Sequence, residues 1–179
     1  MARISYSLLV CLCLFAGCGR SAADLPVEER QANWIGQHRQ GSCGWASLVS
    51  LLRAEGDPRA ETVRAECGGT ANIWFVPGDR IVKSDILDEL DRLGIGHVET
   101  ALGDEQFLCD ACESGPGCLV GANRGAHVVD VVAIDSDSVT ILGCNHPQVL
   151  FHESRRQFLN EWRQSGGWAI RPLAWWESE

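Results

Sequence analysis

Lysine is almost absent from this chain: Lys83 stands alone against fourteen arginines, and those arginines are scattered rather than gathered into blocks. With a net charge of −9 there is no basic stripe to follow a phosphate backbone, so nucleic acid is excluded as a partner. Internal repetition is missing too, which removes repeat architectures, and no low-complexity tract interrupts the chain after its first two dozen residues. The one pronounced apolar run, Leu8 to Phe15, is too short for a comfortable membrane span.

What remains is the composition of a folded protein. At 179 residues, 45% hydrophobic and 22% charged, the chain suits one globular domain with a single core. Its start reads as an export signal, with Arg3 as a short positive region, the apolar run, and small residues after it. Leu14-Phe15-Ala16-Gly17-Cys18 resembles the lipobox of bacterial lipoproteins, which implies lipidation of Cys18 and a polar tether behind it. Cleavage near Ala22-Ala23 is the alternative, and it also exports the domain. The expected division is 1–17 signal, 18–32 lipidated tether and 33–175 folded domain, in the cell envelope and anchored to a membrane.

Nine cysteines set the central question. Cys11 and Cys13 fall in the signal and Cys18 is the lipid site, leaving Cys43, Cys67, Cys109, Cys112, Cys118 and Cys144. An exported protein with six cysteines is expected to form disulfides, and three bridges would consume Cys43 as well. Cys109-x₂-Cys112-x₅-Cys118 with Cys144 admits a zinc reading, but it lacks the paired knuckles of a strong zinc signature. No metal and no cofactor is expected.

Cys43 has a setting the others lack. A small-residue turn, Gly41-Ser42-Cys43-Gly44, runs into Trp45, Leu48, Val49 and Leu52, whose spacing of three and four predicts a helix from Cys43 to Arg53, ended by Gly56-Asp57-Pro58. A thiol on the first turn of a helix faces unpaired N–H groups and the positive end of the dipole, both of which favour thiolate. Such a thiolate is a nucleophile in need of a base.

The second half of the chain offers one. Cys118 to Ala122, Ala126 to Ile134 and Val139 to Leu142 read as three strands, the last two joined through Asp135-Ser136-Asp137 as an antiparallel hairpin. A three-residue loop sets His127 opposite Asn145; a two-residue loop at Ser136-Asp137 sets it opposite His146, with Asn145 diagonal. Opposed Cβ atoms lie about 4.5–5.5 Å apart, within side-chain reach. A thiol, a histidine and an amide beside that histidine are the parts of thiol-based acyl transfer: the imidazole takes and returns a proton while the amide fixes its tautomer. Gln37, six residues before Cys43, is placed to join the Cys43 N–H as an oxyanion donor.

Gln37-x₅-Cys43-Gly44-x-Ala46-Ser47-Leu48 resembles the nucleophile segment of papain-like cysteine peptidases, above all the branch containing the double-glycine leader peptidases of bacteriocin exporters. Gly125-Ala126-His127-Val128-Val129-Asp130 through Asp135, followed by Ser138 to Leu142 and Asn145-His146-Pro147, is similar to the branch's histidine strand and the acid or amide that follows it. The resemblance covers most of residues 33 to 171. It implies an α+β, papain-like fold with N-terminal helices packed on a C-terminal antiparallel sheet. It further implies that Gln37 shapes the oxyanion hole, Cys43 attacks, His127 is acid and base, and Asn145 orients it. The expected activity is hydrolysis of peptide or isopeptide bonds in a peptide or protein substrate, by a monomer. Asn145 stands where the branch commonly has aspartate, two extra residues separate it from His127, and the Cys109 to Cys118 cluster is unusual for the branch. Two other readings use the same residues: a disulfide-stapled binding module without turnover, and a thiol-based peptidyl or acyl transferase.

The remaining segments read as scaffold. Asp57 with Pro58 opens a short helix, Ser84 caps another carrying Ile86, Leu87, Leu90 and Leu93, Ile95 to Thr100 is a strand, and Glu105 to Ala111 a helix. Phe158, Leu159 and Trp162 mark a late helix before Trp168-Ala169-Ile170. His38, His97 and His152 read as surface or satisfied histidines, and Trp45 and Trp74 as the tryptophans bordering a groove. His146, beside Asn145, is the second candidate for the orienting role. Asp130 reads as solvent-facing or paired.

Overall fold

A computed structural model describes residues 22–36, 42–65, 83–146 and 148–173. Gln37, His38, Cys67, Trp74, Pro147, the expected signal and Cys18, with the chain as far as residue 21, lie outside the described residues. The helices are α1 (Val27–Asn33), α2 (Cys43–Ala54), α3 (Ala60–Val63), α4 (Lys83–Arg92), α5 (Glu105–Ser114) and α6 (Arg155–Gln164). The strands are β1 (His97–Thr100), β2 (Cys118–Ala122), β3 (His127–Ile134), β4 (Ser138–Gly143), β5 (Leu150–Ser154) and β6 (Ala169–Pro172). They form one antiparallel sheet in the order β1-β6-β2-β3-β4-β5, so the last strand slots between the first and second.

The sheet has a core on each face. On one side α2 packs against Leu119, Val128, Val132, Leu142 and Ile170; on the other α5 and α6 cover Val120, Val129, Val131, Val139 and Ile141. Strands β2 to β4 are therefore apolar on both faces, which explains why they read as near-continuous runs rather than alternating ones. The α+β expectation holds, although helices and strands interleave: β1 lies between α4 and α5, and α6 between β5 and β6.

Helix α2 is the structural centre. Every residue from Cys43 to Leu52 is buried, so it is a core helix rather than an amphipathic one. Its two buried serines, Ser47 and Ser50, are the exceptions to an apolar surface, and Ser50 answers burial with hydrogen bonds: its hydroxyl donates to the Ala46 carbonyl at 2.7 Å and accepts the Ile35 N–H at 3.1 Å. That second bond fixes the chain entering from α1. Leu48, Leu51 and Leu52 have no exposure, each worth about 1.5–3 kcal/mol of apolar burial.

Local chemistry sets the other elements. Asp104 caps α5 by accepting the Gln106 N–H at 3.0 Å, and Ser154 caps α6 by accepting the Gln157 N–H at 3.2 Å. Asp57 accepts the Arg59 N–H at 2.8 Å and pairs with its guanidinium, closing the turn before α3. Ser84 is not a cap: α4 already begins at Lys83, and Ser84 is an exposed residue of its first turn. Gly117, at φ +125°, leads into β2 beneath β3, where a Cβ would collide with the Val131 carbonyl oxygen. Strand β5 was not anticipated. Only Leu150 and Glu153 are partly buried in it, so its composition carries little apolar alternation.

The segment ahead of residue 33 also belongs to this packing. Leu25 is buried in the α2 core, and the Arg30 guanidinium donates to its carbonyl oxygen at 2.6 Å. Among the described residues no helix is long and apolar enough to cross a membrane.

Candidate active site

The hairpin register decides where the histidine goes. Asp135 N–H donates to the Ser138 carbonyl at 3.0 Å, and its carboxylate accepts the N–H groups of Asp137 and Ser138 at 2.8 and 2.7 Å. This is the two-residue turn, with Ile134 opposite Val139 and Ala133 opposite Thr140. A bulge at Val132 then moves the register by one, so that Val131 faces Ile141 and Val129 faces Gly143. The ladder ends at that pair and the chain turns through Cys144, Asn145 and His146, so strand register alone gives His127 neither of the two expected partners. The bulge is what the sequence did not disclose.

Strand alternation places His127 with Val129 and Val131 on the α6 face, whereas Cys43 packs on the other. The two meet because each is the first residue of its element, at one end of the sheet. Cys43 is only 6% exposed, yet its thiol is held down to about 4. The largest cause is a hydrogen bond from the Cys144 thiol. Burial opposes it; a hydrogen bond and positive charge from His127, and the Val128 backbone N–H, add to it. These contacts favour the thiolate at Cys43 over Cys144. Cys144, buried in the turn after β4, is pushed up by its bond to Cys43 and by its own burial.

Cys144 is the member that sequence reasoning missed. Its sequence context admits a bridge or a metal partner, and the signal that points to the site is its place one residue before Asn145. All five described cysteines, Cys43, Cys109, Cys112, Cys118 and Cys144, are free thiols, so the expected disulfides are not found among them.

Asn145 lies in the turn whose His146 N–H donates to the Gly143 carbonyl at 3.0 Å, and it is exposed. It shares with His127 the lining of a cavity of about 380 Å³. His146 lines the same cavity and packs its ring against Phe151, with centroids 6.0 Å apart. Asp130 does not face solvent. It is buried toward α2, where Trp34 Nε1 donates to Oδ2 at 2.9 Å. Burial raises its pKa well above the carboxylate range, although the bond from Trp34 and the Ser47 hydroxyl oppose that. Asp130 ties the entry segment to the sheet from beneath the site.

With this geometry in place, comparison with solved structures is informative. The peptidase domain of Streptococcus ComA, a bifunctional ABC transporter of a quorum-sensing pathway, superposes with a TM-score of 0.57 at 17% identity, over 78% of this chain and 96% of that domain. A C39-like peptidase from Bacillus anthracis superposes with a TM-score of 0.63 at 16% identity, over 80% and 95% of the two chains. The fold is that of the C39 papain-like peptidase domains. A double-glycine-motif protease from an AMS/PCAT transporter, solved with a leader peptide, gives a TM-score of 0.57 at 19% identity over 86% and 93%. No protein-family model matches the sequence, and no curated protein matches it.

Proposed function

We propose that the chain is an exported cysteine peptidase that cleaves peptide or isopeptide bonds through a thioester, held at a membrane by a lipid on Cys18. The observation that carries this reading is the thiolate-favouring site at Cys43, with His127 within hydrogen-bonding reach. The C39-type fold supports it, and the leader peptide bound to one structural neighbour supports a peptide as substrate.

In this mechanism the Cys43 thiolate adds to the scissile carbonyl carbon, and the resulting oxyanion is stabilised by the Cys43 N–H and the Gln37 side chain. Collapse expels the amine, which takes a proton from the His127 imidazolium and leaves a thioester. His127, now neutral, deprotonates a water that attacks the thioester carbonyl, and the acid and the Cys43 thiolate are released. Asn145 orients the imidazole. Cys144 lowers the thiol pKa by donating to the thiolate, so the nucleophile stays ionised well below neutrality. An amine in place of that water gives transfer by the same residues.

The test is labelling of the reduced full chain with a thiol-directed electrophile near pH 6. Cys43 alone should react, and a His127→Ala variant should react far more slowly. Uniform labelling of the cysteines defeats the assignment.

A further inference from the structure

The cavity beside His127 has a composition that the thioester chemistry does not require. Strand β5 contributes Phe151 and Glu153, two residues apart and hence on one face; α6 contributes Phe158, Glu161 and Trp162, at the three- and four-residue spacing of one helical face. Phe158 and Trp162 stack, with centroids 6.5 Å apart and planes inclined by 16°. The result is a space of about 380 Å³, within the roughly 300–1,000 Å³ of ligand sites, floored by the buried Phe158 and Trp162, with the exposed Phe151 and two carboxylates on its lining.

Two carboxylates on one cavity wall, without a basic partner among the described residues, set this space apart from the acids that lie beside an arginine or lysine. Glu61, Glu89, Glu99, Glu105 and Asp57 each pair with an arginine or lysine. Glu153 and Glu161 have no ion pair among the described residues, although Arg155 lies two positions beyond Glu153. That arginine turns instead to Glu105 and to the Asp135 carbonyl. Glu161 receives only the Gln157 amide, at 3.1 Å. Partial burial raises the Glu153 pKa, and the repulsion of Glu161 raises it further. An uncompensated pair of carboxylates in a partly apolar space is a cost to the folded protein that a cation from outside removes.

We propose that this cavity is a specificity subsite for a basic side chain, lysine or arginine, of the peptide substrate, with Glu153 and Glu161 receiving the charge. The lining suits such a side chain along its length: the aliphatic stem packs on the exposed ring of Phe151, and the cationic head meets the carboxylates. Because His127 and Asn145 line the same space, a side chain seated there belongs to a residue close to the scissile bond. The inference rests on the peptidase reading for its substrate, but the binding it describes is measurable without turnover.

The experiment has two arms on the full chain. Hexapeptide mixtures fixed as lysine, arginine, norleucine or glutamate at each position are offered to the wild type, and binding of the same peptides is measured on a Cys43→Ala variant. At one position, basic peptides should be cleaved and bound at least ten-fold better than norleucine ones. The basic-to-norleucine ratio should collapse in a Glu153→Gln/Glu161→Gln variant, with Glu161→Gln alone intermediate. Basic selectivity in binding with no cleavage of any peptide would sink the peptidase reading and leave the subsite standing. Equal binding of basic and norleucine peptides, or a selectivity unchanged in the double variant, overturns the subsite.

Discussion

Cys43 and Cys112 are equally buried, each 6% exposed, and their thiols are driven in opposite directions: Cys43 down to about 4, Cys112 up to about 12. Burial disfavours both thiolates, so the difference lies in what each sulfur meets. Cys43 opens α2, receives hydrogen bonds from Cys144, His127 and the Val128 N–H, and faces a cation. Cys112 lies in the second half of α5, donates weakly to the Val131 carbonyl at 3.7 Å, and is pushed further up by Cys109 and Glu113 beside it. Cys118, fully buried on β2, is likewise pushed up by burial first and then by Cys112 and Asp130. A low thiol pKa here is assembled from donors at one end of a sheet.

The comparison is broken most severely at Cys43 itself: Cys43→Ala should abolish peptide cleavage, read in a fluorogenic assay. His127→Ala removes the acid and base, and turnover should fall by roughly 100- to 10,000-fold while circular dichroism stays native. Cys144→Ala takes away a donor to a charged sulfur. Hydrogen bonds to charged groups are worth about 1.5–3 kcal/mol, so the midpoint of Cys43 alkylation should move to higher pH and its rate near pH 5 should drop by roughly 2- to 15-fold. Trp34→Phe leaves Asp130 without its indole donor and should destabilise the fold by about 1–3 kcal/mol in urea, with a smaller change at Cys43. Cys112→Ala, on the other side of the comparison, should leave the alkylation profile of Cys43 where it was.

Much of the fold is legible in the sequence. The spacing of Trp45, Leu48, Val49 and Leu52 located α2 to within one residue of its end, and the valine-rich runs located β2, β3 and β4. Those signals survive because they rest on burial, which many residues enforce together. The illegible parts depend on single residues. The Val132 bulge follows from how one strand accommodates its neighbours, and no composition announces it. For Asp130 the sequence leaves solvent and a buried partner both open, because a carboxylate in a valine run is costly inside and its indole partner is 96 residues away in sequence. Strand β5 pairs along β4 with Phe151 42% exposed, so the ladder holds it more than its own side chains do. Cys144 was hidden by parity: six cysteines invite counting in pairs, and counting says nothing about which thiol donates to which.

The central claim is that Cys43 is ionised where the other thiols are not, and the pH profile of its alkylation tests this most directly. A thiolate with a lowered pKa is present above that value and lost as pH falls through it. With the reduced full chain and iodoacetamide, followed by peptide mass mapping, the Cys43 rate should therefore stay near its plateau down to about pH 5 and decline around pH 4, while Cys112 and Cys118 remain unmodified. A Cys43 rate that rises only through the ordinary thiol range, in step with the other cysteines, would contradict the account.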